Sequence, residues 1–168
     1  MFSHDFKELL SAFNEQKVKY LIVGGYALAV HAQPRATKDL DLFIQPDGEN
    51  AKAVFAALVQ FGAPMENLKP ADLIERGSFF RIGTAPQMIE VFSEISGVEF
   101  RDAWNRRLER VVDEATNLRA FFISAEDFVA NKLAAARPQD VADAAAVRRV
   151  RDLDQQKARE RPEKQLSE

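Results

Sequence analysis

Cysteine is absent from this 168-residue chain. That excludes disulfides, thiolate metal sites and cysteine nucleophiles, and it fits a reducing compartment such as the cytoplasm. Long apolar runs are also missing: none approaches the roughly 18 to 20 residues of a membrane-spanning helix. Met1 to Leu10 mixes His, Asp, Lys and Glu with apolar residues, so it lacks the apolar stretch of a secretory signal. There is no basic surplus. The net charge is -3, whereas a general nucleic-acid binder draws most of its affinity from Lys and Arg that neutralise phosphate. An acidic protein that handles nucleotides takes its positive charge from bound metal ions instead. Walker A, G-x-G-x-x-G and H-E-x-x-H patterns are absent, as is any Ser-His-Asp set of recognisable spacing. Tyrosine and tryptophan are scarce, at two and one, against thirteen phenylalanines, and this points to an aromatic interior without many polar handles.

What is present suits a soluble globular domain: 46% apolar and 29% charged residues in a length that holds one core. Phe6, Leu9, Leu10 and Phe13 recur at helical spacing over Asp5–Gln16. The β-rich run Val18–Val23 predicts a buried strand, ended by Gly24-Gly25 and followed by a helix over Tyr26–Ala32. Pro34 stops that helix. Lys38–Gln45 alternates polar and apolar residues as a strand does. Glu49–Phe61 reads as a helix with Gly62 as its C-cap. Ser78–Ile82 and Gln87–Phe92 read as a hairpin turning at Gly83–Pro86. A short helix over Phe100–Arg107 and two strands, Leu108–Val112 and Leu118–Ile123, follow. Ser124 is a helix N-cap with Asp127 three residues on, opening a helix to Ala136. A last helix starts near Pro138 and runs through Val150. The organisation expected is an α/β (α+β) core over residues 1–123, C-terminal helices over 124–151, and a charged tail, frayed or disordered, over 152–168.

Three features carry chemistry. Gly24-Gly25 sits between a strand and a helix, where backbone N–H groups can approach an anion closely and the helix N-terminus attracts it. A turn glycine pair without a ligand is the plainer reading. Asp39 and Asp41 stand two apart on a strand, so both carboxylates share a face, about 6 to 7 Å apart. They suit one or two hard cations such as Mg²⁺, or else form the acidic face of an exposed edge strand. Glu90 interrupts the apolar strand QMIEVF and must find a partner. That partner is either an arginine such as Arg81 on the neighbouring strand or a metal shared with the two aspartates.

The segment YLIVGGYALAVHAQPRATKDLDLFI, together with Ile89-Glu90-Val91 and SAEDFVANKLAAARPQDVADAAAV, resembles the nucleotidyltransferase superfamily. The likeness is to its small bacterial branch with G-G-x-A, a His, Arg-x-Thr and Asp-Leu-Asp, which includes toxin-type members of abortive-infection and toxin–antitoxin systems. The resemblance spans Tyr20 to Val147. It implies a minimal nucleotidyltransferase fold: a small mixed sheet flanked by helices, with a helical C-terminal portion. It implies Mg²⁺ (or Mn²⁺) held by Asp39, Asp41 and Glu90, with Glu90 also helping to activate the attacking hydroxyl. Gly24 and Gly25 would hold the triphosphate of an NTP, and Arg35, Thr37, Lys132 and Arg137 would contact the nucleotide. Two positions depart from the common pattern: the third acid is Glu90 where Asp is usual, and Tyr26 follows the glycines where many members carry a Gly-Ser pair.

The function this implies is transfer of a nucleoside monophosphate from an NTP to a hydroxyl acceptor, an RNA end, a protein side chain or a small molecule, by a cytoplasmic monomer or homodimer. A cognate toxin or antitoxin partner belongs to the same picture. The alternative is a non-catalytic nucleotide- or protein-binding module of antitoxin or regulatory type. Elsewhere, His31 reads as a structural histidine bonded to the Arg35 loop, and Trp104 as core. Asp140 and Asp143 read as partners of Arg137 or Lys132 that join two helices. The run Arg148-Arg149-Val150-Arg151 reads as a solvated helix face.

Overall fold

The computed structural model describes residues 2–160. The elements are α1 (His4–Glu15), β1 (Tyr20–Val23), α2 (Gly24–His31), β2 (Leu40–Ile44), α3 (Gly48–Phe61), a 3-10 turn (Pro70–Ile74), β3 (Phe79–Thr84), β4 (Gln87–Phe92), α4 (Phe100–Asn105), β5 (Leu108–Asp113), β6 (Leu118–Phe122), α5 (Ala125–Ala135) and α6 (Pro138–Glu160). The strands form one mixed sheet in the order β3-β4-β2-β1-β6-β5. β1 runs antiparallel to β2 and parallel to β6, and β2 runs parallel to β4. The two hairpins, β3–β4 and β5–β6, close the sheet at its edges.

The central strands are apolar because both faces are covered: every residue of β1 is buried, as are Leu40 and Leu42–Ile44 of β2. The expected aromatic interior is there, with Phe6, Phe13, Phe43, Phe122 and Phe128 almost fully enclosed. α1 packs beside α3, while α2 touches β1, β2, α5 and α6. Asn50, a buried polar residue on α3, accepts from the Lys19 amide at 2.8 Å and donates to the Lys19 and Gln45 carbonyls at 3.0 Å. One side chain thereby fixes α3 to the start of β1 and the end of β2.

Local signals place the element ends. Ser3, Asp47 and Ser124 each accept a backbone N–H at a helix start, and Gly62 ends α3 at φ +94°. Several boundaries differ from the sequence expectation: α2 already begins at Gly24, and β2 begins only at Leu40, which leaves Asp39 just before the strand. β3 continues through Gly83 and Thr84, so the hairpin turn shortens to Ala85-Pro86. α6 does not fray after Arg151 but stays helical to Glu160. Residues 152–160 are exposed all round. Their Leu, Gln, Lys, Ala, Arg and Glu are strong helix formers, and Gln156 donates to Glu160 one turn on at 2.9 Å. The remainder of the expected tail, residues 161–168, lies outside the described residues. Among the described residues no helix is long and apolar enough to cross a membrane.

Candidate active site

The turn out of β1 brings backbone and carboxylate into contact. Gly24 opens α2 at φ +65°, a conformation that disfavours any residue with a Cβ. A Cβ built there would lie 2.0 Å from Asp41 Oδ2, so the glycine makes room for the carboxylate at the start of the helix. Gly25 has a different neighbour: its Cβ would stand 2.6 Å from the Thr37 hydroxyl oxygen. The loop between α2 and β2 closes over it, with Thr37 Oγ1 donating to the Asp39 carbonyl at 3.4 Å.

Sheet register assembles the acids. Asp41 on β2 is paired with Val23 on β1 and Glu90 on β4, and Glu90 is paired in turn with Arg81 on β3. The four positions form one row across the sheet. Because strand side chains alternate faces, Glu90 shares its face with Met88 and Phe92, while Ile89 and Val91 are buried on the other. Of the two partners foreseen for Glu90, the arginine is found beside it. Arg81 donates to Glu90 Oε1 from Nε at 2.7 Å and approaches it with Nη2 at 2.5 Å. On its other side Glu90 is the register partner of Asp41 on β2. Burial, then the neighbouring charges of Glu90 and Asp39, push the Asp41 carboxyl up to about 7.

The C-terminal helices bring cations to the same place. Lys132 on α5 is only 7% exposed, a position a lysine holds only when paired. Its Nζ lies 3.1 Å from Asp140 Oδ1 and 4.0 Å from Asp143. Arg137 donates to Asp140 from Nε at 2.6 Å and from its amide at 3.3 Å. Burial alone would raise the Asp140 pKa, but the bonds from Arg137 and Lys132 hold it below the ordinary carboxylate range. Arg35 forms a two-pronged contact with Asp143, at 3.3 and 3.0 Å. The expected pairing of Asp140 and Asp143 with these cations is therefore present, and it ties α5, α6 and the loop after α2 together.

A cleft of about 720 Å³ lies between the sheet and α5–α6, within the size range of small-molecule sites. Gly24, Asp39, Asp41, Glu90, Lys132 and Arg137 all line it. Gly25, Arg35 and Thr37 are not on its wall; they brace the loop that carries Asp39. Sequence reasoning missed Phe79, Phe92, Glu94, Ser96 and Asn131, which also line the cleft. Of these only Asn131 sits in a motif, the SAEDFVANKLAAARPQDVADAAAV segment, although the apolar alternation of QMIEVF does put Phe92 on the face of Glu90. His31 is structural as expected, but its partner is the Ile123 carbonyl, to which Nε2 donates at 2.7 Å, and not the Arg35 loop.

The donor set suits a hard cation in chemistry: carboxylate oxygens facing one cleft, with Asp41 disfavoured as an anion until something positive approaches. Among the described residues no three His, Cys, Asp or Glu groups form a set that could hold a metal ion, so Asp39, Asp41 and Glu90 are not gathered as the three-ligand set expected. Mg²⁺ does not require one, since it binds through one or two carboxylates and completes its shell with waters and substrate phosphates. The residues present fit such an ion.

A mixed sheet with a glycine turn after its central strand, acids on adjacent strands and helices closing the cleft defines the nucleotidyltransferase fold. The chain matches the family described as nucleotidyltransferase of unknown function (DUF6036) over residues 3–166, and it belongs to that family. Among solved structures it is similar to the lincomycin-bound crystal structure of the lincosamide antibiotic adenylyltransferase LnuA, with a TM-score of 0.55 and 14% identity, covering 89% of this chain and 98% of that one. At that identity the likeness is one of fold. No curated protein matches the chain in sequence.

Proposed function

We propose that this protein is a metal-dependent nucleotidyltransferase that moves a nucleoside monophosphate from an NTP to a hydroxyl acceptor. The observation that carries the reading is the pairing of Asp41 with Glu90 on adjacent strands, in a cleft that also holds Gly24 and the buried Lys132. Three carboxylates in one apolar-backed cleft destabilise the fold unless they serve a ligand. In this reading Asp39 and Asp41 hold Mg²⁺ or Mn²⁺, joined by Glu90. The ion supplies charge stabilisation at the phosphates. The amide end of α2 at Gly24 receives the triphosphate, Lys132 and Arg137 face its oxygens, and Glu90 accepts the proton of the attacking hydroxyl. Arg35 and Thr37 act indirectly, by holding the loop before Asp39. The acceptor is an RNA end, a protein side chain or a small molecule. A cytoplasmic setting, a monomer or homodimer, and a toxin–antitoxin context accompany the proposal.

One observation favours a second reading, a nucleotide-binding module without turnover: Glu90 Oε1 is already taken by Arg81. The test is transfer of label from each of the four α-labelled NTPs with Mg²⁺ or Mn²⁺, with cell lysate as the source of acceptors and the Asp39→Ala/Asp41→Ala double variant as control. Label that moves with the wild type and not with the control establishes the enzyme. Metal-dependent nucleotide binding without any transfer establishes the binding module. Absence of both removes both readings.

A further inference from the structure

Two residues along from the Arg81–Glu90–Asp41 row lies a second row, made of aromatics. Phe79 on β3 is paired with Phe92 on β4, and Phe92 with Phe43 on β2. The two-residue period puts this row on the same face, about 7 Å from the acids. Phe43 is in the core, 5.0 Å from Phe100 between ring centroids. Phe92 is half-buried, and Phe79 is 54% exposed. Phe79 and Phe92 stack at 5.8 Å and 27°. The row therefore climbs out of the core and ends as an open aromatic face in the cleft wall, where both rings line the cavity. Phe79 has Phe92 on one side and the Arg81 guanidinium 5.5 Å from its ring centroid, and more than half of it is left exposed.

The order of the sheet says what that face meets. Gly24 follows β1, Asp41 is on β2, Glu90 on β4 and Phe79 on β3, so the four stand in sequence across the cleft. In nucleotidyl transfer the acceptor oxygen forms a bond to the α-phosphorus while the bond from that phosphorus to the bridging oxygen breaks. Pyrophosphate leaves, and the hydroxyl proton passes to a carboxylate or water. Attacking and leaving oxygens lie on opposite sides of the phosphorus. With the triphosphate at Gly24, the acceptor enters from the side of β3 and β4.

That wall is unsuited to a polyanion. Arg81, the arginine on β3, is engaged by Glu90, and Glu94 adds a further carboxylate to the lining, whereas nucleic acid needs free Lys or Arg at its phosphates. We infer that Phe79, stacked on Phe92, is the acceptor-side specificity surface, and that the acceptor is a small uncharged or cationic hydroxyl compound with a flat apolar ring. The inference rests on the nucleotidyl-transfer reading above.

The test uses full-length protein with Mg²⁺ and α,β-methylene ATP. Tyramine, which joins a ring, a hydroxyl and an ammonium, serves as the acceptor-side probe and is read by saturation-transfer NMR. Tyramine is expected to bind the wild type, to bind Phe79→Ala about tenfold more weakly, the size of one lost aromatic stack, and to recover with Phe79→Tyr. Calorimetric affinity for α,β-methylene ATP is expected to be the same in all three. Loss of nucleotide affinity in Phe79→Ala would make the ring a base platform and overturn the inference. So would equal tyramine binding in Phe79→Ala, no tyramine binding to the wild type, or salt-dependent displacement of tyramine by a short oligouridine. If α,β-methylene ATP fails to bind the wild type, the nucleotidyl-transfer reading itself fails and this inference goes with it.

Discussion

At the scale of single residues, the site is defined by a contact that only glycine permits. Gly24 combines a left-handed backbone with a carboxylate pressed against its Hα side. Gly24→Ala is expected to lower stability by about 2 kcal/mol through backbone strain alone, and to displace Asp41, so that Mg²⁺–NTP affinity falls with it. Urea denaturation and calorimetry on the same preparation check the two effects. Intact nucleotide affinity in this variant would separate Gly24 from the site. Asp41 has the opposite character: its folded pKa, about 7, lies above its ordinary value. The stability associated with its protonated form is complete below the ordinary carboxylate range and is lost as pH rises to about 7. Asp41→Asn in metal-free protein is therefore expected to be more stable than wild type at pH 8, on the order of 2 kcal/mol, with the gap closing towards pH 4. Thermal melts across that range measure it, and a pH-independent gap would remove the electrostatic explanation.

At the scale of elements, α5 and α6 are joined by a buried ionic knot. Asp140 is 1% exposed and accepts from both Lys132 and Arg137. Removing it strands the Lys132 ammonium in the interior. Asp140→Ala is expected to destabilise the protein by about 3 kcal/mol, read as a lower urea midpoint with unchanged m-value. Because the folded Asp140 pKa is depressed, its contribution is present above the ordinary carboxylate pKa and is lost as pH falls through the lower folded value. The acid limb of the wild-type stability curve should therefore flatten in the variant. The outer part of α6 behaves differently. Residues 152–160 touch nothing that the core needs, so Asp154→Pro is expected to reduce helical circular dichroism while leaving the melting temperature of the core within about 1 °C, as for a surface change away from packing. A large drop would show that this stretch packs against the rest of the chain.

At the scale of the whole molecule, the cleft is where two parts of the chain face one another, carboxylates on the sheet and cations on α5 and the α5–α6 turn. Neither part suffices alone: the acids repel phosphate, and Lys132 is held by Asp140. In the proposed reaction, metal and nucleotide together would satisfy both sides. Melting temperature is accordingly expected to rise only when Mg²⁺ and NTP are both present, by the equivalent of about 2.7 kcal/mol at a hundredfold excess over the dissociation constant. A full rise with NTP alone would place the triphosphate on protein cations and take the acids out of nucleotide binding.

Much of this was legible in the sequence, because strand and helix periodicities and capping residues are local. The glycine turn, the parity that points Glu90 one way and Ile89 the other, and the Ser124 and Gly62 caps all follow from neighbours within a few positions, whereas Asp39, expected on the strand with Asp41, falls just before β2. Other features depend on partners far apart in the chain, and only the tertiary structure decided them. Gly24 reaches the cleft while Gly25 lies beneath Thr37. Arg35 finds Asp143 across 108 positions. Glu90 stands between Asp41 and Arg81 because β4 lies between β2 and β3. Phe79, one more phenylalanine among thirteen in the sequence, becomes an open ring beside the acids because β3 is the edge of the sheet. Composition and spacing specify what each residue can do; strand order and helix docking determine which of them meet.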